Sequence, residues 1–120
     1  MRLPRDRDSR LFLRLLFWAA VAVSLVMALI PHPPQLPGHP SDKIQHIGAF
    51  LTMGLLGSLA YPRLGTVRLV VALSLFGAFI EVAQAIPALH RDSDPLDWLA
   101  DTIACGIAVA AAQWWLTRRR

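Results

Sequence analysis

The sequence predicts an all-α protein, an antiparallel bundle of four transmembrane helices with both termini in the cytoplasm. Three observations predict it: a high apolar content, four apolar runs long enough to cross a bilayer, and a one-sided distribution of basic residues. Hydrophobic residues make up 55% of the 120-residue chain and charged residues only 17%, whereas a soluble domain carries about 25% charged residues. The length suits one domain, and the composition indicates that lipid is its solvent.

The first apolar run covers residues 11–30 and contains one charge, Arg14, near its start. Twenty residues at about 1.5 Å each cross a hydrocarbon core of roughly 30 Å. Arg14 is expected to extend its guanidinium to the lipid headgroups. A cleaved signal peptide is the competing interpretation, but the apolar run is long for one, and no small-residue cleavage site precedes Pro31.

Proline and polar breaks divide the rest of the chain. Residues 31–40 hold five prolines and read as an external loop. Asp94 and Pro95 have the pattern of a helix start, with an acid as N-cap and proline in the first turn. The predicted organisation is a cytoplasmic tail at 1–10, one transmembrane domain at 11–117 with spans at about 11–30, 42–61, 69–89 and 95–116, and a basic cytoplasmic tail at 118–120.

Basic residues select the orientation of these spans. Of the twelve Lys and Arg residues, only Lys43 and Arg91 fall on one side of the predicted bundle. The opposite side receives Arg2, Arg5, Arg7, Arg10, Arg14, Arg63, Arg68, Arg118, Arg119 and Arg120. Because cytoplasmic loops carry the excess of basic residues, both termini are predicted to be cytoplasmic.

The same composition excludes several classes of protein. The basic residues lie at the ends of apolar runs and not on a soluble face, so no nucleic-acid partner is predicted. The single cysteine, Cys105, lies inside an apolar run and is interpreted as a small core residue. No HExxH or cysteine pattern is present, so the sequence assigns no metal ligand and no cofactor. The expected partner is the lipid bilayer, and a homo-oligomer is left open.

Three predicted spans each carry two polar side chains on one face, all in the outer part of the membrane. Residues three or four apart share a helix face. The pairs are Asp42 with His46, Glu81 with Gln84, and Asp97 with Asp101. Because a charged group facing lipid is costly, these pairs are expected to converge, with His46, Glu81 and Asp97 within about 8 Å, which allows one bridging water or ligand atom.

The roles expected of these residues follow from their chemistry. The catalytic candidates are Asp42, His46, Glu81 and Asp97. The candidates for ligand binding are Lys43, Gln84, Arg91 and Asp101. The alternative interpretation is structural: helix caps for the aspartates and an ion pair or interhelical hydrogen bond for Glu81.

The order and spacing of these motifs resemble the VanZ-like family of small polytopic bacterial membrane proteins. The similarity covers roughly residues 40–110 and consists of D-K-x-x-H at Asp42–His46, E-x-x-Q at Glu81–Gln84, and D-x-x-x-D at Asp97–Asp101 with Pro87, Arg91 and Gly106. The family usually has Asn at the position of Asp101, so an extra acid favours a shared proton or a bound cation here. The resemblance implies a multi-pass protein of the bacterial inner membrane, linked through the family's namesake to teicoplanin resistance, and implies no reaction.

Three functions are compatible with the sequence. The first is binding or modification of a cell-wall or lipid-linked ligand at the extracytoplasmic face, with a glycopeptide-resistance phenotype. The second is a membrane enzyme in which Asp42 and His46 form the base, Glu81 is the acid and Arg91 holds an anion; a cation held by His, Glu and Asp is a variant of it. The third is an ion- or proton-coupled transporter in which Glu81 and Asp101 titrate.

Overall fold

The computed structural model describes residues 7–30, 38, 42–89 and 94–118, without the side chains of residues 42 and 89. This part of the chain is helical and contains no strand, which confirms the all-α prediction. The four α-helices are α1 (Arg7–Leu29), α2 (Asp42–Ala60), α3 (Thr66–Gln84) and α4 (Pro95–Arg118), and a 3₁₀ turn covers Pro87–Leu89. Of these, α1, α3 and α4 are long and apolar enough to cross a membrane.

The helix limits differ from the predicted spans by more than two residues at three places, the start of α1 and both ends of α3. Helix α1 begins at Arg7, so its first turn takes in residues that the sequence assigned to a solvated tail. Helix α3 ends at Gln84 and not at residue 89. Pro87 explains this early end, because proline has no N–H to donate and disfavours helical backbone in the residue before it. At its other end α3 follows Gly65, whose φ of +91° suits glycine.

Helix α2 is the inner helix of the bundle. It packs against α1, α3 and most extensively α4. Phe50, Met53, Ser58 and Ala60 on α2 are all essentially inaccessible to solvent. Among the α-helices that the structure describes, α2 is the one that falls short of the apolar character of a membrane span.

Helices α2 and α4 lie side by side, with their first turns at the same end. Lys43 contacts Asp97, His46 contacts Asp101, and Gly54 faces Ala108, so the pairing keeps a nearly constant offset along both helices. Gly54 allows this closeness, because a Cβ at that position would lie 3.0 Å from the Ala108 Cβ and 3.1 Å from the Cys105 carbonyl oxygen. Small residues permit such close approach of membrane helices.

The start of α1 contacts the end of α2. The Arg14 Nε donates to the Ala60 carbonyl oxygen at 3.3 Å, and the Arg14 guanidinium lies 4.8 Å from the centre of the Tyr61 ring. The Trp18 Nε1 donates to the Tyr61 hydroxyl at 2.9 Å. Arg14, which the sequence assigned to the lipid headgroups, therefore stabilises one of the carbonyls that a helix end leaves without an internal partner.

Large apolar side chains cover the outside of the bundle. Val67 and Val82 are each 73% exposed and Leu75 is 66% exposed on α3 alone. Comparable side chains on the other helices are Leu11, Phe12, Val23, Ile44, Ile103 and Ile107. Contiguous apolar surface on this scale is rare on soluble monomers, so it supports the interpretation of the chain as a membrane protein.

The close approach at Gly54 gives a prediction on stability. Gly54→Leu must push α2 away from the α4 backbone, at a cost of about 1–3 kcal/mol for an overpacked core. We expect a lower midpoint of thermal unfolding in detergent, measured by the loss of helical circular dichroism. Gly48→Leu is the matched control, since nothing lies within 4 Å of a Cβ at Gly48. Equal midpoints for the two variants would contradict the packing of α2 on α4.

Candidate functional site

Three helices bring His46, Glu81 and Asp101 together, and we call these three residues the buried cluster. One possible ligand atom from each lies within 4.8 Å of those of the other two. His46 is in the second turn of α2, Asp101 in the second turn of α4, and Glu81 in the last turn of α3. The register of α2 on α4 places His46 and Asp101 side by side. Glu81 joins them because the end of α3 meets the start of α4.

The buried cluster holds two carboxylates and an imidazole away from solvent. Asp101 is 1% exposed and Glu81 is 7% exposed, while the His46 side chain is 13% exposed. The His46 Nδ1 lies 3.4 Å from the Asp101 Oδ2, longer than the 2.7–3.2 Å of a typical N–H···O hydrogen bond. Neither oxygen of Asp101, nor the His46 Nδ1, has a hydrogen-bond partner. A buried carboxylate in this state is costly unless a charge compensates it.

Glu81 is held in place by the chain segment that leads into α4. Its Oε2 accepts a hydrogen bond from the backbone N–H of Asp94 at 3.0 Å. The Asp94 Oδ1 in turn accepts from the N–H of Leu96, as expected of a residue that begins a helix. The carboxylate of Glu81 therefore ties the end of α3 to the first turn of α4.

A second ion pair lies one helical turn nearer the starts of α2 and α4. The Lys43 Nζ is 3.6 Å from the Asp97 Oδ1, and the side chains are 49% and 15% exposed. The predicted approach of Asp97 to within about 8 Å of His46 and Glu81 stays a prediction, and the acid of α4 that lies within 4.8 Å of both is Asp101. The register of α2 on α4 places Lys43 opposite Asp97 and His46 opposite Asp101, so Asp97 pairs with Lys43.

Gln84, a predicted ligand-binding residue, contacts α1 in the structure. Its side chain is 2% exposed, and the Nε2 donates to the Ala28 carbonyl oxygen at 3.0 Å. That carbonyl lies in the last turn of α1, where carbonyls have no partner within the helix. Gln84 therefore positions α1 against α3, next to the buried cluster.

Two other predicted site residues fall at the edge of what the structure describes. Asp42 opens α2, but its side chain lies outside the described part. Arg91, the predicted anion clamp, also lies outside the described residues. Their assignments stay predictions.

The sequence did not predict a polar contact that joins α3 to α4. The Ser74 Oγ and Thr102 Oγ1 are 3.0 Å apart, and the Trp98 Nε1 donates to the Ser74 carbonyl oxygen at 3.0 Å. The signal was present, because Ser74, Gly77 and Glu81 follow one another at helical spacing on one face. The indole N–H of Trp98 therefore ties α4 to α3.

Comparison with known proteins adds no relative. No protein-family model matches the chain, and neither a curated protein nor a solved structure matches it. The resemblance to the VanZ-like family therefore remains a prediction from the motifs, and the candidate site stands on its geometry.

The hydrogen bond from the Asp94 N–H gives a prediction that separates the role of Glu81 as a hydrogen-bond acceptor from its role as a charge. Glu81→Gln keeps a carbonyl oxygen that can accept from the Asp94 N–H, whereas Glu81→Leu removes the acceptor. We expect the Leu variant to be less stable than the Gln variant by about 1 kcal/mol, the usual worth of such a bond. Chemical unfolding in mixed micelles measures it. If the two variants unfold at the same denaturant concentration, Glu81 does not anchor the start of α4.

Proposed function

We propose that this chain is a multi-pass protein of the bacterial inner membrane, with four antiparallel spans and both termini in the cytoplasm. The separation of charge along the bundle supports the proposal. Arg14 lies at the end of the bundle where α1 starts and α2 finishes, and Arg118 in the last turn of α4 falls at the same end because α4 is in register with α2. The buried cluster lies towards the opposite end. The positive-inside rule assigns the basic end to the cytoplasm.

The function that we propose is binding of a cell-envelope or lipid-linked ligand at the extracytoplasmic end of the bundle, with a glycopeptide-resistance phenotype. The observation that carries a binding site is Asp101: a carboxylate 1% exposed, with no hydrogen-bond partner on either oxygen, beside His46 and Glu81. A buried ionisable group in a membrane segment marks function by default. The resemblance to the VanZ-like family supplies the class of ligand and the phenotype.

A membrane enzyme is the second candidate function. An imidazole within 4.8 Å of two carboxylates is a set of groups that general acid–base catalysis uses. Cys105, one turn beyond Asp101, donates its Sγ–H to the Thr102 carbonyl. A reaction at this site would use either a water activated by the buried cluster or one of its carboxylates as the nucleophile.

The orientation of the bundle is testable by reporter fusion. We expect a reporter that is active only outside the cytoplasm to be inactive when fused after residue 120 and active when inserted at residue 38, in the predicted external loop. The asymmetry of the basic residues is the reason. Activity of the fusion at residue 120 would overturn the proposed orientation.

The phenotype is testable through Glu81. Expression of the chain in a teicoplanin-sensitive host is expected to raise the minimal inhibitory concentration of teicoplanin, and Glu81→Gln is expected to abolish the increase while membrane abundance stays unchanged. Gln is nearly isosteric and removes only the charge. Asp8→Asn is the matched control, since Asp8 lies in the first turn of α1 at the basic end. Full protection by Glu81→Gln would exclude the buried cluster from the phenotype, and no protection by the unmodified chain would reject the resistance proposal.

A further inference from the structure

We propose that His46, Glu81 and Asp101 bind one divalent transition-metal ion, with Zn²⁺ as the ion that best fits these donors. The proposal goes beyond binding of an envelope ligand and does not depend on it. The sequence left a cation held by His, Glu and Asp open but assigned no metal ligand, because no known metal motif is present. The donors come from three different helices, so no local sequence pattern records them.

The state of Asp101 points to a bound cation. The carboxylate is buried within an apolar bundle, and both of its oxygens lack a hydrogen-bond donor. The facing His46 Nδ1 also lacks a hydrogen-bond partner, although it lies 3.4 Å away. A shared cation compensates the carboxylates and uses the lone pair of a neutral imidazole at the same time.

The distances suit one ion. Two atoms bound to the same tetrahedral Zn²⁺, at bond lengths of about 2.0–2.2 Å, lie roughly 3.3–3.5 Å apart. The separation of His46 Nδ1 and Asp101 Oδ2, 3.4 Å, has that length. The set as a whole lies within 4.8 Å, so a small rotation of the longest side chain, Glu81, brings the third donor to the ion.

The donor types select the class of ion. Mg²⁺ and Ca²⁺ prefer oxygen ligands only, whereas an imidazole together with carboxylates suits Zn²⁺ and neighbouring transition metals. Three protein donors leave one position of a four-coordinate ion open, as in catalytic and ligand-binding zinc sites. The ion also neutralises the two carboxylates, which alone would repel an anionic headgroup, and its open position can accept an oxygen of that headgroup.

A supporting hydrogen bond orients Glu81 in the site, and a separate ion pair lies outside it. The Asp94 N–H donates to one oxygen of Glu81 and so orients the carboxylate, as supporting hydrogen bonds do for metal-binding carboxylates. Lys43 and Asp97 lie between the buried cluster and the nearest helix starts, and Lys43 is half-exposed.

The test uses the full chain, purified in detergent without a polyhistidine tag and stripped of metal. Four histidines are present, so the background variant is His32→Ala with His39→Ala and His90→Ala, in which His46 is the only histidine. Titration with Zn²⁺ by calorimetry is expected to show one equivalent bound, and a large excess of Mg²⁺ is expected not to compete. Co²⁺ is expected to give the visible absorption of a low-coordinate nitrogen- and oxygen-bound site.

Asp101→Asn in this background is expected to weaken Zn²⁺ binding by more than about 100-fold, since it removes a direct ligand where loss of a supporting residue alone costs 10–100-fold. Asp97→Asn is the matched control, one turn away on the same helix, and is expected to change the affinity by less than about threefold. His46→Gln is expected to abolish the Co²⁺ spectrum. This variant tests the donor that α2 supplies, whereas Asp101→Asn tests the donor from α4.

Two results would overturn the proposal: no stoichiometric Zn²⁺ binding by the background variant, or equal loss of affinity in Asp97→Asn and Asp101→Asn. The first result would leave His46 and Asp101 as a simple ion pair. Neither result affects the teicoplanin measurement, so failure of the metal site and failure of the envelope-ligand proposal are distinguishable.

Discussion

The cost of burying the Asp101 carboxylate in an apolar bundle constrains the arrangement of the helices. Such a group must face compensating partners, because exposure to lipid is more costly still. It therefore fixes the face that α4 turns towards α2, and the contact at Gly54 lets the two backbones come close enough for His46 to reach it. Glu81 then determines where α3 must end, since its carboxylate binds the residue that begins α4.

Each end of the bundle uses polar contacts for a different purpose. At the basic end, Arg14 and Trp18 contact Ala60 and Tyr61, and these contacts satisfy a helix terminus and an aromatic hydroxyl. At the other end, the buried cluster leaves hydrogen-bonding capacity of Asp101 unused. Polar groups that serve packing alone are normally satisfied, so the contrast is consistent with the proposal that the acidic end binds a ligand.

Sequence reasoning identified the helices well because their signals are local. The apolar runs, the proline at residue 87 and the Asp94–Pro95 start are each read within a few residues. The exact helix ends were less predictable. A helix can continue into polar residues beyond its apolar region without a cost in free energy, as α1 does in the turn that begins at Arg7. The inner position of α2 was not predictable from its own residues, because it depends on which helices surround it.

The residues of the site were predictable, but their pairing was not. Helical spacing placed His46, Glu81 and the acids of α4 at one depth. The structure brings His46 and Glu81 together with one of those acids. The choice between Asp97 and Asp101 depends on the α2–α4 register, which is set by a contact at Gly54 and Ala108, far along the helices from the site. Gln84 shares the face of Glu81 in the sequence, yet it turns to α1, because a helix end without partners lies within its reach.

The arrangement of the bundle depends on the interaction between His46 and Asp101 inside one buried site. A double-mutant cycle on the free energy of unfolding, measured in the presence of a chelator, tests it most directly. His46→Gln and Asp101→Asn are expected to show a coupling energy of about 1 kcal/mol or more, as residues in contact do, whereas Arg14→Gln and Asp101→Asn, at opposite ends of the bundle, are expected to be additive. Additive effects of His46→Gln and Asp101→Asn, within about 0.5 kcal/mol, would contradict the account.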